Sequence, residues 1–246
     1  EQELCLAEEL CNMNRRRQSL EQKIWDEAVA YNRDLYRAQL GEDLPKDALK
    51  NYDEILHVAD NGMMGYIDIE KIGVHLPIYH GTSEPVLQKG VGHLEWSSFP
   101  TGGENTHTVL TGHTGLPSAR LFTDLDQMEV GDHFVLQIVG ETMTYEVEDI
   151  LVVAPYEIDS LSIFRDEDLC TLVTCTPYGV NSPRLLVRAH RVENQERDET
   201  VMTAEQRGEL TAMRSVLGIG LICFAAFLVF LLIRFTGFGR RKKNKK

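Results

Sequence analysis

"TLVTCTPYGVNSPRLLVRAHR", residues 171–191, sets one cysteine at the end of one apolar run and one arginine at the start of the next. Aliphatic and β-branched side chains fill both runs, and Pro177, Gly179 and Pro183 lie between them. That pattern predicts two strands joined by a turn. Paired as a hairpin, the strands bring Cys175 and Arg184, nine positions apart, to the same end of a sheet. Two readings of Cys175 then stand side by side. It is either a buried strand thiol, the commoner fate of such a cysteine, or a nucleophile with Arg184 aimed at it.

Working outward, the period-two signal recurs. In "GYIDIEKIGVHLPIY", residues 65–79, Ile67 and Ile69 alternate inward, then Val74, Leu76 and Ile78, with Gly73 near the turn. "HTVLTGH", residues 107–113, is a further short strand that runs into the loop "TGHTGLPSA". "HFVLQIVGETMTYEVEDILVV", residues 133–153, predicts a hairpin around Gly140 and Glu141. With the opening stretch this makes about seven or eight short strands, a mainly β domain closed as a barrel or stacked as a sandwich. Only short helical pieces fit between them, for example around Leu121 to Leu125. Residues 1 to about 40 instead carry Leu20, Ile24, Ala28, Tyr31 and Leu35 at steps of three and four, the stripe of an amphipathic helix that packs on the main domain. Gly41 and Pro45 mark its end.

Composition narrows the function classes. The 246 residues hold one ordinary domain plus appendages, and 43% apolar with 26% charged residues is a globular balance. A net charge of −13 argues against a nucleic-acid partner. Positive charge gathers in "RRKKNKK", residues 240–246. Just before it, residues 216–233 are apolar apart from two glycines and carry no charge, which is the length of a membrane-spanning helix. The positive-inside tendency puts the tail in the cytoplasm and residues 1 to about 210 outside. The expected organisation is a helical region over 1–50, a β domain over 51–193, a polar linker over 194–214, a transmembrane helix over 215–235 and a basic tail over 236–246. The chain opens on Glu1 without an apolar leader, as if it began inside a longer precursor.

Of the five cysteines, Cys5 and Cys11 fall on different faces of the expected helix, Cys223 falls in the span, and Cys170 and Cys175 lie too far apart along one strand to bridge. No Cys-x-x-Cys pair suggests zinc. His75, His80, His93 and His107 lack a metal-ligand spacing and read as surface or barrel histidines. The acidic run Asp124, Asp126, Glu129 and Asp132 reads as a solvated turn, with a calcium loop as its alternative. An unpaired thiol outside the cell then asks for a reason, and reactivity is one.

A cysteine nucleophile needs a thiolate, and so a positive neighbour. Attack on an amide also needs donors for the oxyanion and an acid for the departing amine. Arg184 offers guanidinium donors that stay charged. His113 sits between Gly112 and Gly115 in a loop at the end of a strand, where an imidazole can be presented.

"TLVTC" with an arginine nine residues on, and "LTGH" about sixty residues upstream, resembles the sortase family. Most of residues 52–192 is similar to the family's core, including "GYIDIEKIGVHLPIYHGTS" and "GVGHLEW". "TCTPYGVNSPRLLVRAHR" and the C-terminal apolar segment most resemble the class C, pilus-assembling members. The resemblance implies a closed eight-stranded β-barrel with N-terminal helices and a C-terminal transmembrane helix. It also implies that Cys175 attacks the threonine carbonyl of a Leu-Pro-x-Thr-Gly-like sorting motif and that His113 protonates the leaving amine. Arg184 would hold the oxyanion or position the substrate, and Thr174 would contact it. The partners implied are pilin subunits bearing the motif, with a pilin lysine amine as acceptor, and the membrane of a Gram-positive cell surface; the chemistry requires no metal or cofactor. Class C members usually carry a lid with an Asp-Pro-aromatic motif. "GEDLPKDALKNYDEIL", residues 41–56, has none, and there Asp43 or Asp47 is the candidate anchor and Leu44 or Leu49 the candidate plug. Three alternatives stay open: a sortase that anchors proteins to peptidoglycan, a non-catalytic membrane-anchored barrel that binds a partner, and a hydrolytic cysteine protease with water as the main acceptor.

Overall fold

The computed structural model describes residues 2–59, 61–114, 120–176 and 183–194, and the side chains from Asn12 on. Contacts divide the chain into Glu1–Asn194 and Gln195–Lys246, and only the first unit is described below. The expected linker beyond Asn194, transmembrane helix and basic tail lie outside the described residues. Among the described residues no helix is long and apolar enough to cross a membrane.

Eight strands form the body: β1 (Met63–Ile69), β2 (Val74–His80), β3 (Val91–His93), β4 (Thr106–Thr111), β5 (His133–Ile138), β6 (Glu141–Val153), β7 (Asp168–Cys175) and β8 (Arg184–Val192). They close into a barrel in the order β1-β2-β3-β4-β7-β8-β6-β5, with β5 pairing back onto β1. Closure settles the choice between barrel and sandwich and leaves no open edge. Where alternation is clean, the strands follow it: Ile67 and Ile69 of β1 and Ile78 of β2 are fully buried. The β5–β6 hairpin turns on Val139 and Gly140, both at positive φ (50° and 84°), as a two-residue type I′ turn needs.

Two pairings set the position of the site. Antiparallel β7 and β8 place Leu172 opposite Val187, Val173 opposite Leu186 and Cys175 opposite Arg184. Parallel β4 and β7 place Thr108 beside Cys170 and Thr111 beside Val173. A parallel pair needs a long crossover, and here it takes residues 112–167. Strand alternation then sorts the side chains into two packed sets. Cys170, Leu172, Leu185, Val187 and Ala189 join the barrel interior with Ile67, Leu110, Leu136 and Tyr145. Val109, Val173 and Leu186 face outward and pack with Leu161, Leu94, Leu151 and Val153 as a second, smaller cluster.

Helix α1 (Gln2–Gln39) docks through its C-terminal half. Ala28 and Tyr31 are buried, and Ile24, Trp25 and Leu35 pack against the interior cluster. The Asn32 amide closes the joint: its Nδ2 donates to the Phe99 carbonyl at 2.9 Å and its Oδ1 accepts from the Phe99 N–H at 2.7 Å. Gln39 repeats the device on Ile163, with bonds of 2.7 and 2.9 Å. The expected stripe is shorter than its sequence pattern, because Leu20 is 59% exposed. A four-residue helix α2 (Glu84–Leu87), unforeseen in the sequence, fills the β2–β3 connection with Pro85 in its first turn.

Candidate active site

The outward faces of β4, β7 and β8 carry Val109 and Thr111, Val173 and Cys175, and Arg184 and Leu186. The first of each alternating pair on β4 and β7 lies deep in the cluster, and the next same-face step reaches the rim. Beyond β4 the ladder continues for one bond, from the Gly112 N–H to the Val173 carbonyl at 3.0 Å. His113 therefore follows on the line of Val109 and Thr111, at the height of Cys175 on the neighbouring strand. Cys175, His113 and Arg184 thus occupy adjacent strand ends on one rim of the barrel.

A groove of about 260 Å³ opens beside them. Thr111, Val173, Arg184 and Leu186 contribute its strand-borne wall. Thr82 comes from just before α2 and Leu87 from its last position, and Pro155, Ile158 and Leu161 from the β6–β7 connection. Trp96, 47% exposed, lines the groove as well. The wall is largely apolar, with the guanidinium-bearing strand end at its edge, which suits an extended peptide with hydrophobic side chains. Most of these residues come from the connections between strands, and no local motif marks them.

The backbone beneath His113 is tightly held. A β-carbon on Gly112 would lie 2.6 Å from the buried Phe122 ring, so no larger residue fits without moving the aromatic. The Phe122 N–H donates to the His113 carbonyl at 3.1 Å. Thr174 is buried, and its hydroxyl donates to the Gly112 carbonyl at 2.8 Å. It is not among the groove-lining residues, and its contact ties the cysteine strand to the histidine loop. On its free side the His113 imidazole has Nε2 3.3 Å from Glu84 Oε2. Arg184 Nη1 reaches the Pro183 carbonyl at 3.4 Å.

The four candidate lid residues do not line this groove. Asp43 and Asp47 are exposed, and Asp47 pairs with Lys50. Leu44 is half-buried, and Leu49 packs against the interior cluster. Ala48 and Lys50 of the same segment face α1, alongside Glu27, Ala30, Tyr31 and Asp34.

Other polar groups noted in the sequence have structural partners. His93 and His107 are fully buried, and burial lowers both to about 4, so each ring is neutral at physiological pH. His107 bonds the Ser162 carbonyl and Thr171 Oγ1, both at 2.7 Å. His80 instead bonds the carbonyls of Ile55 and Gly62, at 2.6 and 2.9 Å. Three residues of the acidic run pair with bases: Lys71 Nζ lies 2.9 Å from Glu129 and 2.7 Å from Asp132, and Arg120 lies 2.9 Å from Asp124. Among the described residues no group of three or more His, Cys, Asp or Glu could hold a metal ion. Cys170 and Cys175 are both free thiols.

Comparison with known proteins agrees with this layout. Residues 67–192 match the sortase domain family. The chain is 31% identical to sortase D of Bacillus subtilis (strain 168) over 131 residues, covering 52% of this chain and 63% of that protein. The chain thus spans under two thirds of this curated relative. The crystal structure of sortase C1 from Streptococcus agalactiae is 48% identical, with a TM-score of 0.65, covering 71% of this chain and 90% of that one. That of sortase C-1 from Actinomyces oris is 42% identical, with a TM-score of 0.65, covering 72% and 99%.

Proposed function

Because the chain belongs to the sortase family, we propose that it is a cysteine transpeptidase that cleaves a Leu-Pro-x-Thr-Gly-like sorting motif and joins the acyl-threonine to a lysine amine of a pilin subunit. The observation that carries this reading is the register that sets Cys175 opposite Arg184, one strand from His113, at the end of an apolar groove. Similarity to sortase C1 and sortase C-1 supports the pilus-building class. Residues 215–235 then anchor the enzyme in the membrane of a Gram-positive cell, with the barrel outside and the basic tail in the cytoplasm.

The steps follow from the chemistry of the three groups. The Cys175 thiolate attacks the threonine carbonyl, and the oxyanion that forms is met by Arg184 N–H donors. His113, as imidazolium, gives its proton to the nitrogen of the glycine that leaves, and a thioester to Cys175 remains. The lysine amine attacks that thioester and gives a proton to His113. Collapse of the second oxyanion forms the isopeptide bond and returns the thiolate–imidazolium pair. The groove holds the apolar side chains of the motif while its scissile bond lies at the strand ends.

The test is transfer by the full chain in detergent micelles. A Leu-Pro-x-Thr-Gly-like peptide is offered with a pilin, with a peptidoglycan-type amine, or with neither, and the products are weighed. A lysine-linked product formed in preference to the other two is the expected result. Preference for the peptidoglycan-type amine would move the enzyme to the anchoring class. Product formation unchanged by Cys175→Ala would overturn the transpeptidase reading.

A further inference from the structure

The approach of Glu84 to His113 has no part in the steps above. The two residues are 29 positions apart, yet Oε2 of the carboxylate lies 3.3 Å from Nε2 of the ring. The carboxylate is held at its other oxygen too, since the Gln88 amide donates to Oε1 at 3.0 Å. Gln88 follows directly on α2, so one turn of helix fixes both the acid and its clamp. Thr82 and Leu87, which flank Glu84, both line the groove, so this helix is part of the site's rim. The Gln88 amide first, and then the His113 ring, hold the Glu84 carboxyl below the usual carboxylate range, so it is ionised whenever the ring is to act.

Building on the sortase reading of the site, we infer that Glu84 is the positioning residue for His113. Its carboxylate accepts from Nε2–H and so fixes the orientation of the imidazole. Nδ1 is left as the nitrogen that exchanges protons with the leaving glycine amine and the incoming lysine amine. Glu84 touches neither substrate nor reacting atoms. It acts through His113 alone, and its side chain is 63% exposed against 26% for the histidine. The effect is therefore that of a solvent-screened pair, graded rather than all-or-none.

The charged groups on the elements around His113 are limited. Cys175 comes from β7, Arg184 from β8 and Glu84 from α2. Glu157, on the far wall of the groove, accepts from the Ala154 N–H at 2.9 Å. Arg120, past the histidine loop, is paired with Asp124. Of these only Glu84 is within hydrogen-bond reach of the ring among the contacts described.

The experiment measures kcat and KM separately near neutral pH, with the full chain in detergent micelles, a Leu-Pro-x-Thr-Gly-like peptide, and thermal melts to confirm folding. Orientation of the ring serves the proton transfers and not the binding of the peptide, so Glu84→Ala should lower kcat about fivefold while KM changes less than twofold. Glu84→Gln, whose amide oxygen still accepts from Nε2–H, should recover most of that loss, and Gln88→Ala, which frees the carboxylate, should lower kcat by less. An unchanged kcat in Glu84→Ala, or a loss that falls on KM alone, in an enzyme that Cys175→Ala and His113→Ala inactivate, would overturn this inference alone. Full activity in both of those variants would overturn the site reading, and the inference with it.

Discussion

Cys170 and Cys175 are the same residue on the same strand, five positions apart, with opposite surroundings. Cys170 points into the barrel, is 0% exposed and packs with Leu172 and Val187. Burial first, and then the nearby Asp168 carboxylate, push its thiol up, so the thiolate is suppressed. Cys175 lies on the other face, at the strand's last residue, opposite a guanidinium-bearing position. β4 repeats the contrast. His107 is sealed between Ser162 and Thr171, whereas His113, six residues on and in line with the same face, stands at the rim. On β7 the face of the strand, and on β4 the distance along one face, separates a buried group from one at the rim. Accessibility here follows strand parity and strand end, not residue type.

The sharpest way to break that comparison is to remove each thiol in turn. Cys175→Ala should lower peptide transfer by a factor of about 10³ or more while leaving the melting temperature in place. Cys170→Ala should do the reverse, keeping transfer within a few-fold and costing about 1 kcal/mol in urea unfolding through the small cavity it leaves. Loss of transfer in Cys170→Ala, with Cys175→Ala active, would invert the account. Next in size is Arg184→Ala. Removing donors aimed at an oxyanion should lower kcat/KM by about 10² in the same assay, and Arg184→Lys should recover only part of it.

The histidine contrast predicts the pH dependence of stability. The rings of His93 and His107 are lowered to about 4 in the folded chain, against about 6.5 when unfolded. Between those values the unfolded chain takes up protons that the folded chain refuses. Stability from these two sites is therefore full above pH 6.5 and falls as pH drops toward 4, by roughly 3 kcal/mol at each site if the whole shift is realised. Urea midpoints at pH 7.5, 5.5 and 4.5 measure this. A flat profile would mean that the two buried rings accept protons in place.

Much of the barrel is legible in the sequence, because β1 pairs with β2 and β5 with β6 through local turns. The opening stretch also carries the β7–β8 register, since a hairpin fixes which residues face each other. β3 is three residues long with a glycine at its centre, and it joins β2 in parallel, so no periodicity announces it. The β4–β7 pairing is equally silent, because its crossover spans most of the domain's second half. The placement of Cys175, Arg184 and His113 is legible because each lies at, or two residues past, the terminus of a readable strand. Glu84 is not, since its meeting with His113 depends on where a single helical turn folds between two parallel strands. Thr174 shows the limit of reasoning by adjacency. Being next to Cys175 in sequence puts it on the opposite face, where it bonds Gly112.

The smallest expected effect concerns residues 43–49. Their side chains are exposed, half-buried, or packed on the interior cluster, and none lines the groove. Asp43→Ala and Leu44→Ala should therefore change the rate of acyl transfer by less than about twofold. A rise of tenfold or more would show that this segment restrains the site after all.

The central claim is that Cys175 alone among the thiols carries the acyl group. It is tested most directly by mixing the full chain with a Leu-Pro-x-Thr-Gly-like peptide, quenching in acid, and locating the adduct by intact-mass measurement and peptide mapping. The account predicts a thioester of the peptide's threonine on Cys175, discharged on addition of a lysine amine and missing from Cys175→Ala. An adduct on Cys170 or any other residue, or one that persists in Cys175→Ala, would contradict it.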